Sequence, residues 1–133
     1  MKTINPTSKA ISEVLAKTPK GKPVVMLNLL KFREQADYEE PRPGVSGRDA
    51  YQEYGRGAIR CIHAVGGELV WSGAPTGTLI GPEEEPQWDE VLLVRYPSLD
   101  AFLKMIDSPD YKAIVHHRTA AIEDSRLMPM LAS

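Results

Sequence analysis

The feature that most constrains this chain is a pattern that occurs twice: an apolar strand, an amphipathic helix, then a second strand. Val24 to Arg33, Tyr51 to Val65 and Glu68 to Ala74 form the first copy. Trp88 to Tyr96, Leu99 to Ala121 and Ile122 to Met128 form the second. A strand-helix-strand unit crosses over with a right hand, so two units can merge into one sheet only in a few ways. With 133 residues the chain is long enough for one domain with a modest core. The expectation is an α+β fold in β-α-β-β-α-β order. Its four-stranded antiparallel sheet carries two main helices on one face, the ferredoxin-like arrangement.

The first strand sharpens this. Val24-Val25-Met26-Leu27-Asn28-Leu29-Leu30-Lys31-Phe32 does not alternate apolar and polar, so both of its faces need cover. The helices cover one face. A second copy, packed sheet to sheet by two-fold symmetry, covers the other, which predicts a homodimer resembling a β-barrel. This domain is expected over residues 23–133, with residues 1–22 as a helical extension. Its helix is predicted over residues 5–17, with Asn5 as cap, Pro6 in the first turn and Ile11, Val14 and Leu15 as a narrow apolar stripe. Ser46 caps the next helix with Asp49 three residues on, and Gly66-Gly67 ends it. Ser108-Pro109-Asp110 interrupts the last helical stretch, and Pro129 ends the final strand. The acidic stretch Glu34 to Val45 reads as a long loop, either a solvated connector or a lid. Pro75 to Gln87, with Glu83, Glu84 and Glu85 together, reads as a solvated loop.

Composition excludes several classes. Sixteen basic and eighteen acidic side chains leave a net charge of -2, which offers nothing to nucleic acid or an anionic membrane. No apolar run approaches a membrane span, and Met1 to Pro6 lacks the apolar core of a signal peptide. The single cysteine, Cys61, cannot form a disulfide within the chain or build a cysteine zinc site, and its helical position suits a buried thiol. A cytoplasmic protein is expected. No Gly-x-Gly-x-x-Gly follows a strand, and there is neither a phosphate-binding loop nor a serine elbow. Gly55-Arg56-Gly57 sits within a helix, so no organic cofactor is expected.

Four stretches together resemble a known family. They are Val25 to Phe32; Gly47-Arg48-Asp49-Ala50-Tyr51; Trp88-Asp89 with Leu93 to Ser98; and His117-Arg118 with Asp124-Ser125-Arg126-Leu127. The combination resembles the domain-of-unknown-function family numbered 1330, of the dimeric α/β-barrel superfamily, over residues 23–128. The resemblance implies the ferredoxin-like fold and a homodimer, and it supplies no activity. Relatives in the superfamily include cofactor-free monooxygenases, muconolactone-type isomerases and haem-binding chlorite dismutases, a kinship of fold alone.

Arg118 is the sharpest anomaly, because on a helical wheel it falls between Tyr111, Ile114 and Val115. A buried guanidinium needs partners. It is either a structural ion pair with Asp89, Asp124 or Glu123, or a clamp for a carboxylate or enolate. His117 borders the same face and is either a general base or a structural imidazole, whereas His63 and His116 point away. Adjacent histidines lack the four-residue helical spacing of a metal pair, so no metal is expected. Only His117 is placed to be an axial haem ligand. Asn28 is a lone amide in an apolar strand, either a donor to a substrate oxygen or a tie to a loop. Tyr51 and Tyr54 lie inward one turn apart, and Trp71 and Trp88 could wall a pocket. Asp89 and Arg126 could pair with each other or across the dimer.

Three functions follow. The first is a cofactor-free enzyme, of isomerase or monooxygenase type, on a small cyclic or aromatic oxygenated compound. There His117 and Arg118 are catalytic, and Asn28, Tyr51, Tyr54 and Trp88 bind substrate. The second is a non-catalytic small-ligand-binding protein using the same pocket. The third is a structural or interaction dimer in which these polar groups are struts.

Overall fold

Hydroxyl caps set every helix start in the computed structural model, which describes residues 2–133. Helix α1 spans Ser8–Lys17, with Thr7 accepting from the Ala10 N–H at 3.1 Å. The cap is therefore Thr7 and not Asn5, because the threonine hydroxyl reaches the free amide three residues on. Strand β1 is Val24–Phe32. Helix α2, Gly47–Ala64, opens on Ser46, whose Oγ accepts from Asp49 N at 3.0 Å. Strand β2 is Glu68–Gly73 and β3 is Glu90–Tyr96. Helices α3, Leu99–Ile106, and α4, Pro109–Ala121, open on Ser98 and Ser108, so the helical stretch is interrupted at Ser108-Pro109 as expected and Pro109 begins its second part.

Strand β4 is Ile122–Met130 and runs through Pro129, which sits opposite Met26 and does not end it. The sheet order is β2-β3-β1-β4, so β4 is an edge strand, where a missing N–H is tolerated. Strand β3 starts two residues later than expected. Ahead of it, the Asp89 carboxylate accepts from the Phe32 N–H at 2.8 Å, taking a backbone donor at the end of β1.

Strand β1 pairs antiparallel with both β3 and β4, which makes it the spine of the sheet. Its side chains alternate. Val24, Met26, Leu30 and Phe32 face the helices and are buried, while Leu27 and Leu29 on the other face are only half-buried. Val91 and Leu93, level with them on β3, share that open face. Trp71, opposite Leu93, is 55% exposed. The core lies between sheet and helices in two clusters, one around Met26, Tyr54, Val94 and Tyr111, the other around Leu30, Phe32, Ala50 and Ile122. Helices α2 and α4 pack tightly, with Gly57 giving room to Ile114.

The Glu34 to Val45 stretch is a mostly exposed connector, as expected, but it is fastened at a few points. Ala36 is buried and donates its N–H to Val45 at 2.9 Å, and Asp37 N donates to Ala120 O at 2.9 Å. Tyr38 and Arg42 then tie the loop to α2 and α4.

Candidate ligand site

Between the helix-facing side of the sheet and the helices lies a cavity of about 740 Å³. Its floor is Met26, Asn28, Leu92 and Val94, and its walls are α2, α3 and α4. Its roof is the N-terminal segment. Helix α1 has no buried residue, because Ile11, Val14 and Leu15 face this space in place of a packed core. The segment is held at one end by hydrogen bonds. Thr3 N donates to Asp124 Oδ1 at 2.8 Å, Ser125 N donates to Thr3 O at 2.8 Å, and Arg118 Nη1 donates to Ile4 O at 2.7 Å.

Arg118 reaches the cavity from α4. Besides Ile4 O, its Nη2 lies 3.4 Å from the Ser125 hydroxyl. None of the three expected carboxylates pairs with it. Glu123 pairs with Lys2 at 3.4 Å, Asp124 with Arg126 at 2.7 Å, and Asp89 holds the Phe32 N–H. The Asp89–Arg126 pair is replaced in the same way. Arg126 also lines the cavity, but Asp124 and Glu85 neutralise it and its guanidinium lies 5.0 Å above the Trp88 ring. No aspartate or glutamate lines the cavity among the described residues. Arg118 thus has no carboxylate within ion-pair distance among the described residues, and in a mostly apolar space it favours an anion.

Tyr51 and Tyr54 stand beside it on α2, with ring centres 5.2 Å apart. The Tyr54 and Tyr111 hydroxyls lie 2.9 Å apart, so they satisfy each other. Burial pushes the Tyr51 and Tyr54 hydroxyls well above the ordinary phenol range, against the pull of the nearby Arg118 charge. Both are therefore neutral donors near pH 7. Asn28 lines the floor, and its amide makes only long bonds, 3.4 Å to Met26 O and 3.5 Å to Leu92 O.

The cavity brings together Asn28, Tyr51, Tyr54 and Arg118. It does not bring in His117 or Trp88, and Trp71 stands on the open face of the sheet. The His117 imidazole instead faces the loop before α2, with Nδ1 2.7 Å from the Tyr38 hydroxyl and 3.4 Å from Glu53. Burial and the neighbouring His116 hold it below the usual histidine range, Glu53 opposes them and Arg42 adds to them. The direction of the Tyr38 hydrogen bond follows the tautomer of the ring. Cys61 is buried, and desolvation raises its thiol. The described residues hold no cluster of three or more His, Cys, Asp or Glu side chains that could bind a metal ion. No helix is long and apolar enough to cross a membrane.

Sequence reasoning missed the roof. The apolar stripe of α1 signalled docking, but docking on a packed surface and roofing a cavity leave the same stripe. Ser125 and Tyr111 were visible only as parts of wider patterns. Ile4, which acts through its carbonyl, carries no side-chain signal at all.

The chain is similar over its whole length to a protein of unknown function from Rhodopseudomonas palustris, at 38% identity, TM-score 0.89, with 100% of this chain and 98% of that one covered. A dimeric protein of unknown function with a ferredoxin-like fold, from Bacteroides fragilis, aligns at 16% identity and TM-score 0.51 over 83% of this chain and 96% of that one. A hydroxynitrile lyase from Passiflora edulis aligns at 10% identity and TM-score 0.56, covering 85% and 95%. The last two likenesses are of fold. No curated protein matches the sequence. The profile described as domain of unknown function (DUF1330) matches residues 44–129, which hold α2, the strands that follow it and Arg118, so the chain belongs to the DUF1330 family.

Proposed function

We propose that the helix-side cavity binds an oxygenated organic anion, with Arg118 as the clamp for its charged oxygen, Tyr51 and Asn28 as neutral hydrogen-bond partners and Tyr54 as a wall. The observation that carries this reading is the Arg118 guanidinium, bonded only to neutral oxygens, in a cavity without acidic lining residues. Such a site stabilises a carboxylate, and it also stabilises an enolate or phenolate as charge develops on oxygen.

The catalytic form of the reading is a cofactor-free isomerase or monooxygenase type of reaction on a cyclic or aromatic compound. It rests on Arg118 alone. The cavity lining contains no imidazole or carboxylate to take a proton, and burial holds Tyr51 and Tyr54 neutral. A substrate would have to arrive ionised. The same fact favours the second reading, binding without turnover.

The protein acts, on this proposal, as a cytoplasmic homodimer that needs neither nucleic acid nor membrane. The apolar open face of the sheet supports the dimer.

The test is calorimetric titration with small aromatic acids, phenols, enolisable lactones and their uncharged analogues. Anions are expected to bind and Arg118→Gln to weaken them about tenfold to a hundredfold. Equal binding of charged and uncharged analogues, untouched by Arg118→Gln, would sink the assignment. Product formation in the same mixtures separates enzyme from binder.

A further inference from the structure

The cavity is much longer than a single aromatic ring. Tyr96 and Ser125 both line it. Tyr96 lies opposite Val24 and Ser125 opposite Leu30, so the two stand six residues apart along β1. At about 3.3 Å per residue that is a span of roughly 20 Å. Across the strands the lining reaches from Leu69 on β2 to Leu127 on β4, the whole width of the sheet. The charged groups are not spread along this length: the lining holds Arg118 and Arg126, both at the β4 end. Arg118 bonds Ser125 and the Ile4 carbonyl, which puts the charge at the β4 end. The other end is apolar, with Phe102 stacked edge-on against Tyr96 at 5.3 Å and Leu103 beside it on α3. Helix α1 covers the stretch between, presenting an apolar stripe to a space it does not fill. A volume of about 740 Å³ lies in the upper part of the range for ligand sites.

Taken together, we propose that the natural ligand is an elongated apolar monocarboxylate, its carboxylate on Arg118 at the β4 end and its apolar body lying under α1 toward Phe102 and Leu103. The body is an alkyl chain or fused rings of about ten carbons or more, long enough to leave the Arg118 end and reach α3. This rests on the anion-site reading above and adds the size, shape and direction of the ligand. It also gives the N-terminal segment a role, since a buried ligand of this length passes beneath α1 and orders it.

The experiment uses the full chain and straight-chain carboxylates from butyrate to dodecanoate, their methyl esters, benzoate, and naphthalene and anthracene carboxylates. Affinity is expected to rise about fourfold per methylene up to the length that fills the cavity, as burial of each methylene predicts. Esters are expected to bind about tenfold or more weakly, a difference that Arg118→Gln abolishes. Leu103→Trp, which fills the far end, is expected to stop the gain at a shorter chain. Hydrogen exchange across Ser8–Lys17 is expected to slow with dodecanoate and not with butyrate. If fused-ring acids follow the size trend and alkyl chains do not, the body is a ring system. If benzoate and butyrate bind through Arg118 and longer or larger acids bind no better, the elongated ligand is wrong while the anion site stands. If no carboxylate of any size binds, both readings fall.

Discussion

Asp124 shows how one residue ties the roof to the sheet. Its side chain is almost fully buried and accepts from Thr3 N at 2.8 Å, Ser125 N at 2.9 Å and Arg126 Nη1 at 2.7 Å. Burial pushes this carboxyl up, but the hydrogen bonds and the Arg126 charge outweigh it and hold it below its ordinary value of 3.8. Between the folded value and 3.8 the unfolded chain binds more protons, so stability rises with pH through that window. The contribution is complete above 3.8 and is lost as the pH falls through the folded value. Asp124→Asn is expected to cost about 1–3 kcal/mol at pH 7 and to flatten the acid limb of the stability curve, as read by urea unfolding at several pH values. An acid limb identical to that of the natural chain would show that Asp124 is not the titrating group. Arg118 illustrates the limit of sequence reasoning at this scale. The helical wheel placed it on an apolar face, which the cavity lining bears out, but no wheel could show that all three candidate carboxylates have other partners.

At the scale of elements, the packing of α2 against the end of β1 depends on Gly47. A β-carbon there would collide with the Arg33 carbonyl and crowd the Ala121 carbonyl and Arg33 N. Gly47 N also donates to Arg33 O at 3.1 Å, so the helix start and the strand end are locked together. Backbone atoms cannot move aside as a flexible side chain does. Gly47→Ala is therefore expected to lose about 1–3 kcal/mol or more, measured as a lower urea midpoint with unchanged slope. Gly55→Ala is the control, because a β-carbon there meets nothing. Equal effects at the two positions would contradict the close approach. Helices and strands were readable from the period of their apolar residues and from Ser46 as a cap, since those signals are local. What Gly47 does depends on Arg33 and Ala121, which are distant in sequence, and so it was not. The anchoring of the loop of residues 34–45 was hidden for the same reason. Its acidity and prolines suggested a solvated connector or a lid, and it is largely exposed, but Asp37, Tyr38 and Arg42 fasten it to helices that the chain reaches later.

At the scale of the whole molecule, the decisive asymmetry is that all the helices of the doubled unit lie on one side of the sheet. Leu27, Leu29, Val91 and Leu93 are left half-covered on the other, with Trp71 at 55% and Met128 at 45% exposure beside them. Strand β1 was readable as apolar on both faces because it is the spine of the sheet, paired on either side, and each of its faces must meet a different neighbour. A contiguous apolar patch across the central strands is costly in water and is removed when a second sheet packs against it. Sedimentation velocity is expected to show a dimer at micromolar concentration. Leu93→Lys places a charge at the centre of the patch and is expected to shift the protein to monomer while leaving the helix-side core intact. Because the cavity opens on the opposite side of the sheet, monomeric Leu93→Lys is expected to bind anionic ligands through Arg118 with nearly the affinity of the dimer. A natural chain that sediments as a monomer would leave the open face without its partner. A variant that loses the dimer and ligand binding together, while its circular dichroism is unchanged, would show that the two faces of the sheet are coupled through β1.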